Sequence, residues 1–182
     1  AEAFAAKESA EIITGTAFTG IINSVTPTTT TLLGAAFTDL TYKKLVDCSN
    51  SLSLGQLMNG GVFIMHRTVW SIIQGILDDN NRPIVQNPWD AASRTLLGFP
   101  VVLDEQAPAA SASAANTAFI IFGNPRWVSF GRRQGFRTQL MIEGTAAGVN
   151  LGETRQLGLI IDTRWGLVVT IPANLAYIKT AA

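Results

Sequence analysis

The stretch from Arg67 to Pro108, RTVWSIIQGILDDNNRPIVQNPWDAASRTLLGFPVVLDEQAP, limits the possible fold more than any other part of this chain. Val69, Trp70, Ile72, Ile73, Ile76 and Leu77 recur at the i, i+3, i+4, i+7 spacing. That spacing predicts an amphipathic helix from Arg67 to Leu77 with a broad face against a core. Asp78-Asp-Asn-Asn-Arg-Pro83 ends it, since proline cannot continue a helix and Asn and Asp favour turns. Leu97 to Leu103 then reads as a strand, with Pro100 leaving one edge unpaired. Nothing in the stretch can do chemistry.

The composition allows two kinds of molecule. The 182 residues fit one ordinary domain, or one domain plus pieces of a second. Charged residues are 14% of the chain, against roughly 25% in an average soluble protein. Hydrophobic residues reach 47%, yet no apolar run attains the roughly 18 residues of a membrane-spanning helix. A compact chain of 19.4 kDa should expose roughly 8,500 Å², more than so few charges usually cover. A subunit hiding area against neighbours explains this as well as a low-charge globular domain does.

Net charge is zero and the pI is about 6.8. Strong nonspecific attraction to nucleic acid needs a basic face, so the balance argues against it. Cys48 is the only cysteine, which excludes an internal disulfide and agrees with a reducing assembly site. The opening AEAFAAKESAEI lacks the basic and apolar regions of a signal peptide and starts within a helical pattern. A remnant of a longer chain is expected.

Residues 1–13 predict a helix capped by Gly15. A glycine-punctuated turn follows, and the Thr-rich tract at 26–31 reads as an extended connector and internal boundary. Thr38 is the expected N-cap of a second helix, with Leu40, Leu45 and Val46 facing a core. Asn59-Gly60-Gly61 marks a turn before a short buried strand, Val62 to Met65. Residues 107–118 read as a flexible surface loop. Further strands are expected at 119–122, 127–130, 136–142, 157–163, 167–171 and 174–179, with a loop at 144–150. The irregular alternation, with no repeat, predicts an α+β fold.

Candidate chemistry is sparse. His66 is the only histidine and has no companion ligands for a metal site. A Cys48–His66 couple would be the minimum for a small hydrolase; a helix-entry histidine and a core cysteine are the preferred readings. Asp78-Asp79 and Asp104-Glu105 read as solvated turn residues. Arg126, Arg132, Arg133 and Arg137 are interleaved with Trp127, Phe130 and Phe136. Such a cluster suits single-stranded nucleic acid or a subunit contact. Zero net charge favours the contact. No catalytic residue, cofactor or metal site is expected.

Several segments, in order, resemble HK97-type phage major capsid proteins. AEIITGTAFTGIIN resembles the family's helix and Gly-containing turn, and VFIMHRTVWSIIQGILDDNNRPIVQNP its strand, helix and "Leu-Lys-Asp-x-x-Gly-Arg-Pro" turn. Asp78, Asp79, Arg82 and Pro83 fill the charged turn, with Asn81 where Gly is common. TLLGFPVVLDEQAP resembles the "Leu-x-Gly-x-Pro-Val" strand, FIIFGNPRWVSFGRRQGF the "Phe-Gly-Asp-Phe" strand pair, and RQLGLIIDTRWGLVVTIPANLAYIKT the closing "Arg … Pro-x-Ala" unit.

The resemblance implies a truncated HK97-like α+β fold. Residues 1–34 would be a partial peripheral domain, 35–152 the axial domain, and 153–182 a return to the peripheral one. The N-arm, the E-loop and most of the spine helix would lie upstream. Where some relatives crosslink through Asn and Glu, this chain has Arg155 and Asp162, with Asn150 nearby, so no autocatalytic crosslink is implied. The implied role is a structural subunit of a tailed-phage or prophage shell. It would assemble with itself into pentamers and hexamers in the bacterial host cytoplasm. Scaffold, portal and packaged DNA would be indirect partners, with no membrane involved. An encapsulin-like compartment is the alternative within this fold. Expected contact residues are Asn59, Ser111, Asn116, Arg126, Trp127, Arg132, Arg133 and Arg137.

Overall fold

In a computed structural model, all residues are described except 1, 16–18, 25–27, 32–35, 58–59, 79, 86–93, 113–114, 143, 147, 156 and 182. The chain divides into two compact units, residues 1–129 with 168–182 and residues 130–167. We call them the body and the ribbon.

The body is built on a six-stranded mixed sheet. Its strands are β1 (Thr28–Thr31), β2 (Val62–Met65), β3 (Thr95–Leu96), β4 (Phe99–Leu103), β5 (Ala118–Gly123) and β10 (Leu175–Lys179). Their spatial order is β1-β10-β5-β2-β4-β3. The β1–β10 and β2–β4 pairs are parallel, whereas β10–β5, β2–β5 and β3–β4 are antiparallel. Every residue of β5 is buried, so both of its faces are covered. Phe63 and Phe122 are register partners, and their rings stack with centroids 4.3 Å apart. Phe99 meets Phe122 edge-on at 5.1 Å, and Phe37 stacks on Phe119 at 3.9 Å.

Helix α1 (Glu2–Ile13) ends as its sequence predicts, with Gly15 at φ +57° and its N–H on the Ala10 carbonyl. The short α2 (Ile21–Ser24) lies within the expected glycine-punctuated turn. The threonine tract is a sheet strand, β1, rather than a free connector, because β10 supplies its backbone partners. The second helix starts later than Thr38: a 3-10 turn covers Phe37–Asp39, and α3 (Tyr42–Asn50) follows from the N-cap Thr41. Leu40 and Leu45 are buried, and Val46 is half-buried. A capping box on Ser53 and Gln56 holds α4 (Leu54–Leu57): Ser53 N–H donates to Oε1, and Gln56 N–H to Oγ.

Helix α5 (Arg67–Gln74) is shorter than predicted. Val69, Trp70 and Ile73 are buried as expected, but the helix stops at Gly75. Leu77 leaves it to bridge Pro83 and is 50% exposed. The run Leu97–Leu103 is also not one strand. Leu97 and Gly98 both have positive φ, +54° and +82°, forming the turn between β3 and β4. Pro100 faces Thr95, and β4 pairs with β2 only from Val101 onward, so its missing N–H breaks no ladder.

The ribbon is a two-stranded sheet of β6 (Val128–Met141) and β9 (Gly158–Val169), whose ends enter the body unit. The separate strands expected at 127–130 and 136–142 are one, as are those at 157–163 and 167–171, because no proline or turn interrupts them. The expected loop 144–150 holds a small hairpin, β7 (Thr145–Ala146) with β8 (Val149–Asn150), followed by α6 (Leu151–Thr154). The two units divide at 129/130 and 167/168. The body sheet takes β1, β10 and its middle strands from all three expected segments.

Candidate subunit interface

The four arginines of the sequence cluster are separated by the fold. Arg126 is exposed and belongs to the body, in the 3-10 turn Pro125–Trp127. Asn124 caps that turn: its Oδ1 accepts from Arg126 N–H, and its Nδ2 donates to the Leu57 carbonyl at 2.7 Å. Trp127 is half-buried and donates through Nε1 to the Gln56 carbonyl at 2.8 Å, which ties the turn to α4. Trp127 is therefore a structural anchor of the body.

Arg132, Arg133 and Arg137 lie on β6, where successive side chains point to opposite faces. The Arg132 guanidinium lies 5.7 Å from the ring centroids of both Phe130 and Phe136. Phe130 in turn lies 5.2 Å from Trp165 of β9. One face thus carries an aromatic ladder with a fixed cation, and Arg133 and Arg137 occupy the other. Gln134 links the strands, its Nε2 donating to Asp162 and its carbonyl accepting from Thr163 Oγ1.

Exposure is what distinguishes the ribbon. No described residue between 130 and 167 is buried. Phe136 is 57% exposed, Ile142 63%, Leu157 68% and Leu159 62%. Sequence reasoning did not mark these side chains as exposed, because their runs read as core strands. The available signal was the length of the two β-runs without any second apolar layer between them in sequence.

The 104–118 segment is held at the entry of α5. His66 is the N-cap: its Nδ1 accepts from Thr68 N–H at 3.1 Å, and its Nε2 lies 3.1 Å from a Glu105 carboxylate oxygen. Thr68 Oγ1 meets His66 Nδ1 at 2.8 Å and accepts from Ala110 N–H at 2.8 Å. Asp104 accepts from Ser9 of α1 and from Gln106 N–H. Ser111 and Asn116 are exposed on this segment; Asn116 has φ +58° and accepts from Lys179 Nζ at 2.9 Å. Asn59 lies outside the described residues.

The side chains with catalytic potential are occupied otherwise. Cys48 is fully buried, and desolvation pushes its thiol up to about 12, the reverse of an activated nucleophile. Asp78 Oδ1 accepts from the backbone N–H of Asn80 and Arg82, as a turn residue does; Asp79 lies outside the described residues. Among the described residues, no three His, Cys, Asp or Glu side chains come together as metal ligands, and no helix is long and apolar enough to cross a membrane.

Residues 1–180 match the phage capsid family, and the chain belongs to it, in agreement with the HK97-type resemblance of its sequence. Comparison with curated proteins gives no match. Among solved structures, all of this chain aligns with the capsid of an empty GTA particle at TM-score 0.79 and 20% identity, covering 63% of that chain. The capsid of a native GTA particle aligns over all of this chain at 0.74 and 21%, covering 69% of that chain. A chain of Gordonia phage Cozz aligns over all of it at 0.74 and 16%, covering 61% of that chain. The chain thus spans 61–69% of the length of these structures.

Proposed function

We propose that this chain is a wall-forming subunit of a tailed-phage or prophage shell, closing into pentamers and hexamers around packaged DNA. The observation that carries the reading is that a chain of the phage capsid family has one well-packed unit and one whose described apolar side chains are exposed. Such a molecule works by geometry: a heterologous contact, repeated around an axis, closes a ring.

In this reading residues 35–152 form the axial domain, and 1–34 and 153–182 belong to the peripheral one. The 107–118 segment and the Asn50–Gly60 region contribute contacts, with Asn59, Ser111, Asn116 and Arg126 among the contact residues. Its place is the virion wall, assembled in the host cytoplasm, with scaffold and portal as transient partners. The test is to produce the full-length protein and image it by electron microscopy. Rings or shells are expected; a persistent monomer at high concentration would contradict the reading.

A further inference from the structure

His66 follows β2 and caps α5, and its buried imidazole is committed on both sides. Nδ1 accepts the backbone N–H of Thr68 at 3.1 Å, which a ring nitrogen can do only with a bare lone pair. The ring proton therefore sits on Nε2, 3.1 Å from the Glu105 carboxylate oxygen that accepts it. The Thr68 hydroxyl shares the Nδ1 lone pair at 2.8 Å, and its oxygen accepts from Ala110 N–H at 2.8 Å. One neutral tautomer thus holds both the first turn of α5 and the 104–112 segment.

A second ring proton breaks that arrangement. Placed on Nδ1, it faces the Thr68 N–H, donor against donor, and removes the acceptor that caps α5. The hydroxyl must then turn to accept from the imidazolium while still accepting from Ala110 N–H. The new charge also lies at the positive end of the helix. Few charges surround the ring. Glu105 faces it with a side chain 68% exposed, so solvent screens its pull. Asp104 accepts from Ser9 of α1 and from Gln106 N–H. Arg67 follows on α5 and is exposed; α1 carries Glu2, Glu8 beside Ser9, and Lys7 paired with Glu11. Strands β2, β4 and β5 contain no charged residue.

We propose that protonation of His66 opens the start of α5 and loosens the 104–112 segment, which gives the chain a local switch between neutral and mildly acid pH. Histidine is the side chain whose charge ordinarily changes between about pH 5 and 8. The switch lies within a single copy and does not rest on the shell-subunit reading. Its link to that reading is positional: the Thr68 hydroxyl holds Ala110, in the segment proposed to contact neighbours.

The experiment is residue-resolved hydrogen exchange on the full-length protein at about pH 7.5 and about pH 5.5, on either side of the ordinary histidine range. Protection is expressed relative to the intrinsic rate at each pH. Protection at Thr68, Val69 and Ala110 should fall by about fivefold at the lower pH, the scale of a lost cap. His66→Asn supplies a cap that does not titrate, and should keep equal protection at both pH values. His66→Ala should be poorly protected at both. Glu105→Gln leaves an acceptor for Nε2–H and should retain the response, because the added proton acts at Nδ1. Amides of β5 serve as the reference and should not change. Equal protection of Thr68 at both pH values in the parent would overturn the proposal. So would a response that survives His66→Asn, vanishes in Glu105→Gln, or extends to β5 as general unfolding.

Discussion

Strands β5 and β9 carry similar apolar runs, Phe119-Ile-Ile-Phe122 and Leu159-Ile-Ile161, and reach opposite surroundings. In β5 all four side chains are at most 4% exposed. In β9 the three are 62%, 40% and 40% exposed. The difference lies in neighbours. β5 has β10 on one side and β2 on the other, with Phe37 and Phe63 stacked on its rings. β9 has β6 alone. Apolar sequence shows that a strand is to be covered; the identity of its cover depends on what else the assembly contains. The body completes its core from its own described strands, whereas the described residues of the ribbon leave its apolar side chains exposed.

Substitutions that act on only one of the two regions test this contrast. The largest effect belongs to the body core. Phe122→Ala removes a ring that touches both Phe63 and Phe99, and should cost about 3–5 kcal/mol in chemical denaturation. Phe136→Ala in the ribbon should move the same midpoint by less than about 0.5 kcal/mol. If the two costs were equal, the contrast would fail.

Gly123→Ala comes next. This residue has φ +156°, and an added Cβ would lie 2.6 Å from Leu175 Cδ2 and 2.9 Å from the Asn174 carbonyl oxygen. Separating β5 from the start of β10 to relieve that should cost about 1–3 kcal/mol. Gly131 and Gly135 of the ribbon have open space around the same atom, so their alanine variants should fold with unchanged melting temperatures.

His66→Ala removes the cap of α5 and the tie to Glu105, and should cost about 0.5–2 kcal/mol. Faster amide exchange at Val69 and Trp70, together with Ala110, would mark the loss of both cap and tether. Unchanged exchange at Ala110 would show that the tether depends on Thr68 alone.

The smallest effect concerns Cys48. Its thiol should resist modification in the native protein at mildly alkaline pH and react once denaturant is added. The folded-state value of about 12 exceeds the ordinary 9.0. The unfolded chain therefore loses this proton first, and stability is unaffected below 9 and declines from 9 toward 12. Cys48→Ala should flatten part of that alkaline decline in denaturation curves taken at several pH values.

Much of the body was legible in sequence, for identifiable reasons. Val69, Trp70 and Ile73 keep helical spacing, and Val62–Met65 follows a glycine pair, so α5 and β2 could be read with few alternatives. Helix α5 ended early because Gly75 terminates it, while Ile76 and Leu77 stay apolar and mimic a further turn. The β3–β4 turn was hidden because Leu97 takes a positive φ that no leucine signals. In the ribbon, glycines at 131 and 135 and the alternating arginines imitated breaks between short strands. The arginine cluster dispersed for the same reason: sequence proximity ignores the two-residue alternation that sends Arg132 and Arg133 to opposite faces.

The most direct test of the central claim is residue-resolved hydrogen exchange on the full-length protein, monomeric and assembled. Amides of β2, β5 and β10 should be protected in both states, and those of β6 and β9 should gain protection only on assembly. Equal protection of the ribbon in the monomer would contradict the claim that its apolar side chains are covered only on assembly.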